Sequence, residues 1–245
     1  MLAVAVVCLL AQGGSVTVDR DIVYGKSKGV AGQFELKLDL YRASTSAKAP
    51  GVVLIHGGGF TGGSKGGQTG SLSRYLAERG FVCVDINYRL QRDIGGPIRD
   101  AILAAVEDAG KALDWMVANA DRYGIDKKRL AIGGSSAGAI TALFSTYGDN
   151  RSKVPVKAVI DLWGGMYGQQ SAMKKGDPPM LIIHGTEDRV VSYQLAEALM
   201  VRAKEVGVST ELKKVVGAGH GMRLDGKFEG ETFNDIILKF LKRHL

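Results

Sequence analysis

Two short stretches carry residue types that could do chemistry together: Gly134-Ser135-Ser136-Ala137-Gly138 and, upstream, His56-Gly57-Gly58-Gly59-Phe60. The first fits Gly-x-Ser-x-Gly, a tight strand-to-helix turn that lifts a serine hydroxyl clear of the backbone. The second fits a His-Gly-Gly-Gly loop, whose backbone N–H groups can receive a negatively charged oxygen. One stretch offers an attacking oxygen, and the other offers the dipoles that stabilise the charge the attack creates. That pairing is the chemistry of acyl transfer.

A chain with 34 glycines meets Gly-x-Ser-x-Gly by chance, and this one does so again at Gly62-Gly63-Ser64-Lys65-Gly66. Context separates the two. Leu130-Ala131-Ile132 is an apolar run ending at Gly133-Gly134, and Ala137 to Tyr147 is helix-compatible, so Ser136 falls at a strand–turn–helix corner. Ser64 sits among Thr61, Gly62, Gly63, Gly66, Gly67 and Gly70, the composition of a loop.

The elements that must position these residues alternate along the chain. Val16 to Val23 and Phe34 to Tyr41 alternate apolar and polar residues, as antiparallel edge strands do. Gly51–Ile55, Phe81–Ile86, Leu130–Gly133, Val156–Leu162, Met180–Ile183 and Thr210–Val216 are mostly continuous apolar runs, as buried strands require. Between them lie helices. The clearest spans about Pro97 to Ala120, with Ile98, Ala101, Ile102, Ala105, Ala109, Ala112, Leu113 and Met116 at three- and four-residue spacing and Pro97 near its start. A last helix covers roughly Phe233 to Leu241. Eight strands in a mostly parallel sheet, helices on both faces and a serine turn after the fifth strand describe an α/β-hydrolase fold. The segments Tyr147–Lys157 and Trp163–Pro179 are too short for a large helical lid, so a minimal lid and an open, shallow site are expected.

Serine needs a base to take its proton and a carboxylate to orient that base, in the chain order Ser, Asp or Glu, His for this fold. Four histidines are available: His56, His184, His220 and His244. His56 precedes the serine and opens the oxyanion loop, whose geometry it is expected to hold. His244 is penultimate, a poor place to aim a base. His220 lies in the loop Gly217-Ala218-Gly219-His220-Gly221 directly after the eighth strand, where the fold presents its base. His184 ends the seventh strand and would leave Asp149, Asp161 and Asp177 as acids, of which only Asp161 is a serious rival. With His220 as base, the acid comes from Glu187 or Asp188, which leave the seventh strand at its C-terminal edge. Asp188 is favoured because Val190-Val191 would pin that loop to the core.

These motifs resemble those of bacterial carboxylesterases related to hormone-sensitive lipase, and especially the lidless branch with feruloyl and acetyl-xylan esterases. The likeness runs from Leu38-Asp39-Leu40-Tyr41 through Asn87–Leu90, Tyr123–Asp126 and His184-Gly185-Thr186-Glu187-Asp188 to the last helix. It implies a serine esterase with Ser136, Asp188 and His220 as the triad. The oxyanion would be met by the N–H groups of Gly58, Gly59 and Ala137. It departs from the pattern at Ser135, where many relatives carry Asp, and at Ala139, where they carry Gly. His184 to Val191 is also similar to the corresponding loop of prolyl-oligopeptidase-type peptidases. The same triad therefore admits an arylformamidase or serine peptidase, and the ester could be carried on a polysaccharide. A non-catalytic binding protein of this fold would be expected to lack a triad member, and none is missing.

Composition bounds the rest. At 245 residues the chain suits one large domain, read as residues 15–245, and its 45% hydrophobic content is ordinary for a globular protein. The net charge of +7 is scattered except at Lys213-Lys214 and Lys242-Arg243, which gives no track for nucleic acid. No stretch reaches bilayer-spanning length, so no stable membrane insertion is expected. Neither metal nor organic cofactor is called for, and Cys8 and Cys83, the only cysteines, show no metal spacing. Small-molecule or carbohydrate-linked esters are the expected partners. Residues 1–14 read as an atypical signal peptide without a basic n-region, implying a secreted or periplasmic protein, or alternatively as an apolar tail of a cytoplasmic one.

Overall fold

The continuous apolar runs become the parallel half of a sheet that is buried on both faces. In chain order the elements are β1 (Val16–Gly29), β2 (Gly32–Ala43), β3 (Ala49–Ile55), α1 (Gln68–Ala77), β4 (Val82–Ile86), α2 (Gln91–Ile94), α3 (Ile98–Ala118), α4 (Ala120–Tyr123), β5 (Ile125–Ser135), α5 (Ala137–Tyr147), β6 (Ala158–Leu162), β7 (Met180–Gly185), α6 (Gln194–Val206), β8 (Thr210–Val215) and, after a two-stranded ribbon, α7 (Phe233–His244). This computed structural model describes residues 15–43 and 47–245; the signal-peptide reading of residues 1–14, and Cys8 with it, lies outside the described residues.

The sheet order is β1-β2-β4-β3-β5-β6-β7-β8. β2 runs antiparallel to β1 and β4, and the strands from β4 to β8 are parallel to their neighbours. The order β4-β3-β5 is the decisive feature. The chain winds outward from β3 to β4, then returns to build β5 on the other side of β3, so the winding reverses between β3 and β5. Loops leaving these two strands at their C-terminal ends diverge around a crevice, the place where open α/β sheets assemble sites. The register pairs Ile55 with Gly134, so His56 and Ser135 leave the sheet side by side.

Alternation within each strand feeds two cores. Val53 and Ile55 pack beneath α3, α5 and α6, whereas Val52 and Leu54 face α1 and α7. Helices thus cover both faces. α3 begins immediately after Pro97, which caps it in an extended conformation, and buries the alanine-rich stripe seen in the sequence.

Four elements depart from expectation. The first two strands extend to a long hairpin closed at Gly29–Gly32. β5 starts at Ile125, and an irregularity opposite Pro50/Gly51 absorbs the charged residues that hide its first half. α1 has no counterpart in the sequence reading, because Thr69, Gly70 and Ser73 break its apolar stripe; these small residues are buried where the helix meets the sheet. No helix lies between α5 and β6, and a four-residue 3-10 turn, Gln169–Ala172, is the only helical segment between β6 and β7. The cover over the C-terminal edge is minimal. No described helix is long and apolar enough to cross a membrane.

Candidate active site

β5 ends at Ser135 and α5 starts at Ala137, so the turn is a single residue. Ser136 takes it with φ 53° and ψ −119°, a conformation costly to a residue with a Cβ. Its neighbours over-determine it: Ser136 N–H donates to Leu162 O at 2.9 Å, and Ile140 N–H donates to Ser136 O at 2.9 Å. The flanking glycines have a steric reason. A Cβ on Gly134 would collide with Ile55 O and lie 2.6 Å from the Gly138 carbonyl carbon. One on Gly138 would collide with Ile55 O and come within 2.6 Å of His56 O. The motif lets α5 settle directly on the end of β3.

Ser136, His220 and Asp188 form one hydrogen-bonded chain. His220 Nε2 lies 2.8 Å from Ser136 Oγ, and His220 Nδ1 lies 2.7 Å from Asp188 Oδ2. With Asp188 ionised, Nδ1 carries the proton and Nε2 is left to accept from the serine hydroxyl. Asp188 Oδ1 accepts from the N–H groups of Val190 at 2.8 Å and Val191 at 2.9 Å. Burial pushes the Asp188 carboxyl up, but the hydrogen bonds from His220, Val191 and Val190 outweigh it and hold its pKa below the ordinary value. The loops bearing acid and base are sewn together: Thr186 N–H donates to Val215 O, Glu187 N–H to Ala218 O, and Gly217 N–H to Thr186 Oγ1.

On the other side of the serine, Gly57 backs onto it so closely that a Cβ there would lie 3.3 Å from Ser136 Cβ. Gly58 (φ 122°) and Gly59 (φ 61°) adopt left-handed conformations. No acceptor engages their N–H groups among the described residues, and the Ala137 N–H is a first-turn helix donor without an intrahelical partner. All three donors belong to backbone beside Ser136.

A further layer of side chains holds these groups, and sequence reasoning found little of it. His56 Nδ1 donates to Gly57 O at 2.6 Å, its ring stacks on Tyr88 at 4.4 Å, and Tyr88 Oη donates to His56 O at 3.2 Å. Burial lowers the pKa of His56, which stays neutral in this role. His184 is fully buried; its Nε2 donates to Val191 O at 2.9 Å and lies 3.3 Å from Asp188 Oδ2, so this histidine braces the acid loop. Trp163 stands edge-on to the His220 ring at 6.5 Å. His56 carried a signal for its role in its place before the glycines, whereas Tyr88 and His184 lay within the family-like stretches Asn87–Leu90 and His184–Asp188 with nothing in the sequence to show what they hold. The others depend on strand ends that sequence spacing does not bring together.

The rival residues lie elsewhere. Glu187 is exposed. Asp161 is buried in β6, accepting the Gly164 N–H at 2.7 Å, and burial pushes its carboxyl up to about 7 despite that bond. Ser64 is exposed, with no hydrogen bond to its hydroxyl among the described residues. His244 ends α7 against Phe240. No group of three or more His, Cys, Asp or Glu among the described residues could hold a metal ion.

Comparison with known proteins matches residues 38–171, more than half of the chain, to the family model BD-FAE. The chain belongs to the BD-FAE family. Residues 166–245, which include the acid and base loops, also match the model of the prolyl oligopeptidase family. Among relatives of this BD-FAE chain, Esterase LipC of Mycobacterium tuberculosis is 27% identical over 250 residues, covering 82% of this chain and 60% of its own. The probable carboxylic ester hydrolase LipM of the same organism is 39% identical over 123 residues, covering 49% of this chain and 26% of its own. The chain therefore spans less than two thirds of the length of either relative. In fold it is similar to Thermogutta terrifontis esterase 2 phosphoramylated by tabun, with a TM-score of 0.74, 22% identity and 94% of both chains covered. A truncated carbohydrate esterase from gut microbiota aligns with a TM-score of 0.73 and 21% identity over 96% of this chain and 98% of that one. These likenesses establish an α/β-hydrolase fold.

Proposed function

We propose that this BD-FAE family chain is a serine carboxylesterase that hydrolyses short-acyl esters through an acyl-enzyme. The observation that carries the reading is the unbroken hydrogen-bonded chain Ser136–His220–Asp188 beside three backbone donors with no internal acceptor. Ser136 Oγ attacks the ester carbonyl carbon while its proton passes to His220 Nε2, and Asp188 stabilises the resulting imidazolium. The carbonyl electrons move onto oxygen, where the N–H groups of Gly58, Gly59 and Ala137 meet the charge. As the C–O bond to the alcohol breaks, His220 returns the proton to the leaving oxygen. Water then attacks the acyl-serine with His220 as base, releasing the acid and restoring Ser136. This chemistry requires no metal or organic cofactor.

The names of the relatives support ester bonds as the target. The similarity to a carbohydrate esterase favours a second, narrower reading in which the acyl group is carried on a sugar. With Leu2–Ala11 read as a secretory leader, the enzyme would meet such esters outside the cytoplasm.

Nitrophenyl acetate hydrolysis and fluorophosphonate labelling test the reading. Ser136→Ala should lose on the order of 10⁶ in turnover and all labelling. Ser64→Ala should keep both. Label mapped to Ser64, or an active Ser136→Ala variant, would overturn it.

A further inference from the structure

The oxyanion glycines are followed by a loop whose anchorage the hydrolytic steps do not use. Asp39 on β2 and Asp85 on β4 oppose each other in register, and both are buried. A buried carboxyl either keeps its proton or meets a cation: burial pushes the Asp85 carboxyl up to about 6, and Asp39 faces a cation. Lys65 supplies it: its Nζ lies 2.6 Å from Asp39 Oδ1 and 2.8 Å from Asp21 Oδ1, with the side chain only 10% exposed. Arg20 also reaches Asp39, at 3.2 Å, but is itself 62% exposed. The loop backbone descends onto the same strand ends. Lys65 N–H donates to Asn87 Oδ1 at 2.7 Å and Gly66 N–H donates to Asp85 Oδ2 at 2.5 Å. Asn87 is fixed in turn, donating its N–H to Lys37 O and accepting the Tyr24 hydroxyl at 2.6 Å.

The loop that leads to this anchor is packed tightly against the oxyanion glycines. Thr61 and Gly62 both donate their N–H groups to Gly58 O, at 3.1 and 3.0 Å. A Cβ on Gly58 would collide with Gly62 O, and one on Gly63 would collide with Gly57 O and lie 2.7 Å from His56 Nδ1. Segments 57–59 and 61–63 therefore move as one body, and Lys65 is the first residue beyond that body with a side chain anchored in the protein. Displacement at Lys65 transmits to the N–H groups of Gly58 and Gly59, whose value depends on their distance from the developing oxyanion.

We propose that Lys65, clamped between Asp39 and Asp21, is a positioning residue that sets the oxyanion donors against Ser136. This rests on the serine-esterase reading. The test measures kcat and KM on a nitrophenyl ester, the Ki of a trifluoromethyl ketone and the melting temperature for Lys65→Met, Lys65→Arg and the double variant Lys65→Met/Asp39→Asn. The ketone is attacked by Ser136 Oγ and leaves its oxygen negatively charged in the hole, so its Ki reports the donors themselves. Lys65→Met should lose roughly 10- to 100-fold in kcat with KM within threefold, and the ketone Ki should rise in proportion. Lys65→Arg should recover most of that loss. The double variant removes the buried charge that Lys65→Met leaves with only the exposed Arg20 as its cation, and should regain melting temperature but not kcat. Recovery of both together in the double variant, or wild-type kcat in Lys65→Met, would overturn the proposal. Failure of the underlying reading looks different: the unmodified protein would then neither hydrolyse esters nor bind the ketone, and the role of Lys65 would fall with it.

Discussion

Asp188 shows how much one carboxylate can be asked to do. One oxygen accepts from two backbone N–H groups, and the other accepts from His220 with His184 nearby, so rotation of the carboxylate would break bonds on both sides. Replacing it with Asn presents an amide that cannot hold His220 in the required tautomer; in the best-studied triad that loss is about 10⁴ in turnover. Asp188→Asn should therefore be folded and impaired on that order, while Glu187→Gln and Asp161→Asn stay within severalfold of wild type on nitrophenyl acetate. Normal activity in Asp188→Asn, with a collapse in either of the others, would reassign the acid. Asp188 was legible in the sequence because an apolar pair follows it, although only half of that pair pins the loop: Val191 is buried, whereas Val190 lies exposed. His184 was legible only as a failed candidate for the base, since nothing in its spacing shows that it reaches Val191 O. Asp161 makes a separate prediction. Its folded pKa of about 7 exceeds the ordinary carboxylate value of 3.8, so between these pH values the folded form keeps a proton the unfolded form has released. Its contribution to stability falls as pH rises through that window and is level on either side. Asn has no charge to bury. The stability of Asp161→Asn relative to wild type should rise between about pH 4 and pH 7 by on the order of a few kcal/mol, read from urea melts at several pH values. A difference independent of pH would show that Asp161 ionises freely where it sits.

At the scale of elements, the site depends on how closely α5 approaches β3. Two helical glycines separate packing from propensity. Helix propensity alone would make alanine better than glycine by about 1 kcal/mol. Gly110 in α3 has open space around its Cβ position, so propensity governs there. Gly138 has Ile55 O and His56 O where the Cβ would go, and close-packed backbone does not yield cheaply. Gly110→Ala should gain roughly 0.5–1 kcal/mol in a denaturant melt. Gly138→Ala should lose stability and, because the collision displaces the residues that lead into the oxyanion loop, lose ester hydrolysis as well. A neutral Gly138→Ala would mean that α5 has slack the packing does not show. The same contrast explains which elements were legible. α3 displays its buried stripe over five turns, and β3, β4, β6 and β7 are apolar because helices cover both their faces. α1 buries Thr69, Gly70 and Ser73 against the sheet, so burial there leaves no apolar signature. The first half of β5 carries Asp126, Lys127, Lys128 and Arg129, which read as a loop until their pairing with β3 is known. Tertiary contact decides both cases.

On the scale of the molecule, the order β4-β3-β5 is what turns scattered motifs into a site. It brings the glycine loop after β3 beside the serine turn after β5, while β7 and β8 deliver acid and base from the opposite flank. Motif order along the chain implied this arrangement, but the third layer of holding residues could only appear once strand ends were adjacent. What the fold omits bears on substrate choice. A long acyl chain gains about 0.8 kcal/mol per buried CH₂ only where protein excludes water along its length. Such exclusion in this architecture needs cover over the C-terminal edge. The described chain offers only the 3-10 turn at Gln169–Ala172 and no helix between α5 and β6. The residues that follow β6 pack inward instead: Trp163 and Met166 are buried, and a Cβ on Gly165 would lie 2.7 Å from Leu195 Cβ. Tyr167 is left half-exposed at this rim, with partial desolvation and then the charge of Asp188 raising its pKa. Each methylene beyond the first few would therefore remain in contact with water and add little binding, while lengthening the chain that must be oriented. Across a series of nitrophenyl esters, kcat/KM should peak between acetyl and butyryl and decline beyond. Dispersing the longer esters as an emulsion should not accelerate turnover. A maximum at decanoyl, or activation at the oil–water interface, would require an acyl tunnel and a moving cover that this arrangement of elements does not supply.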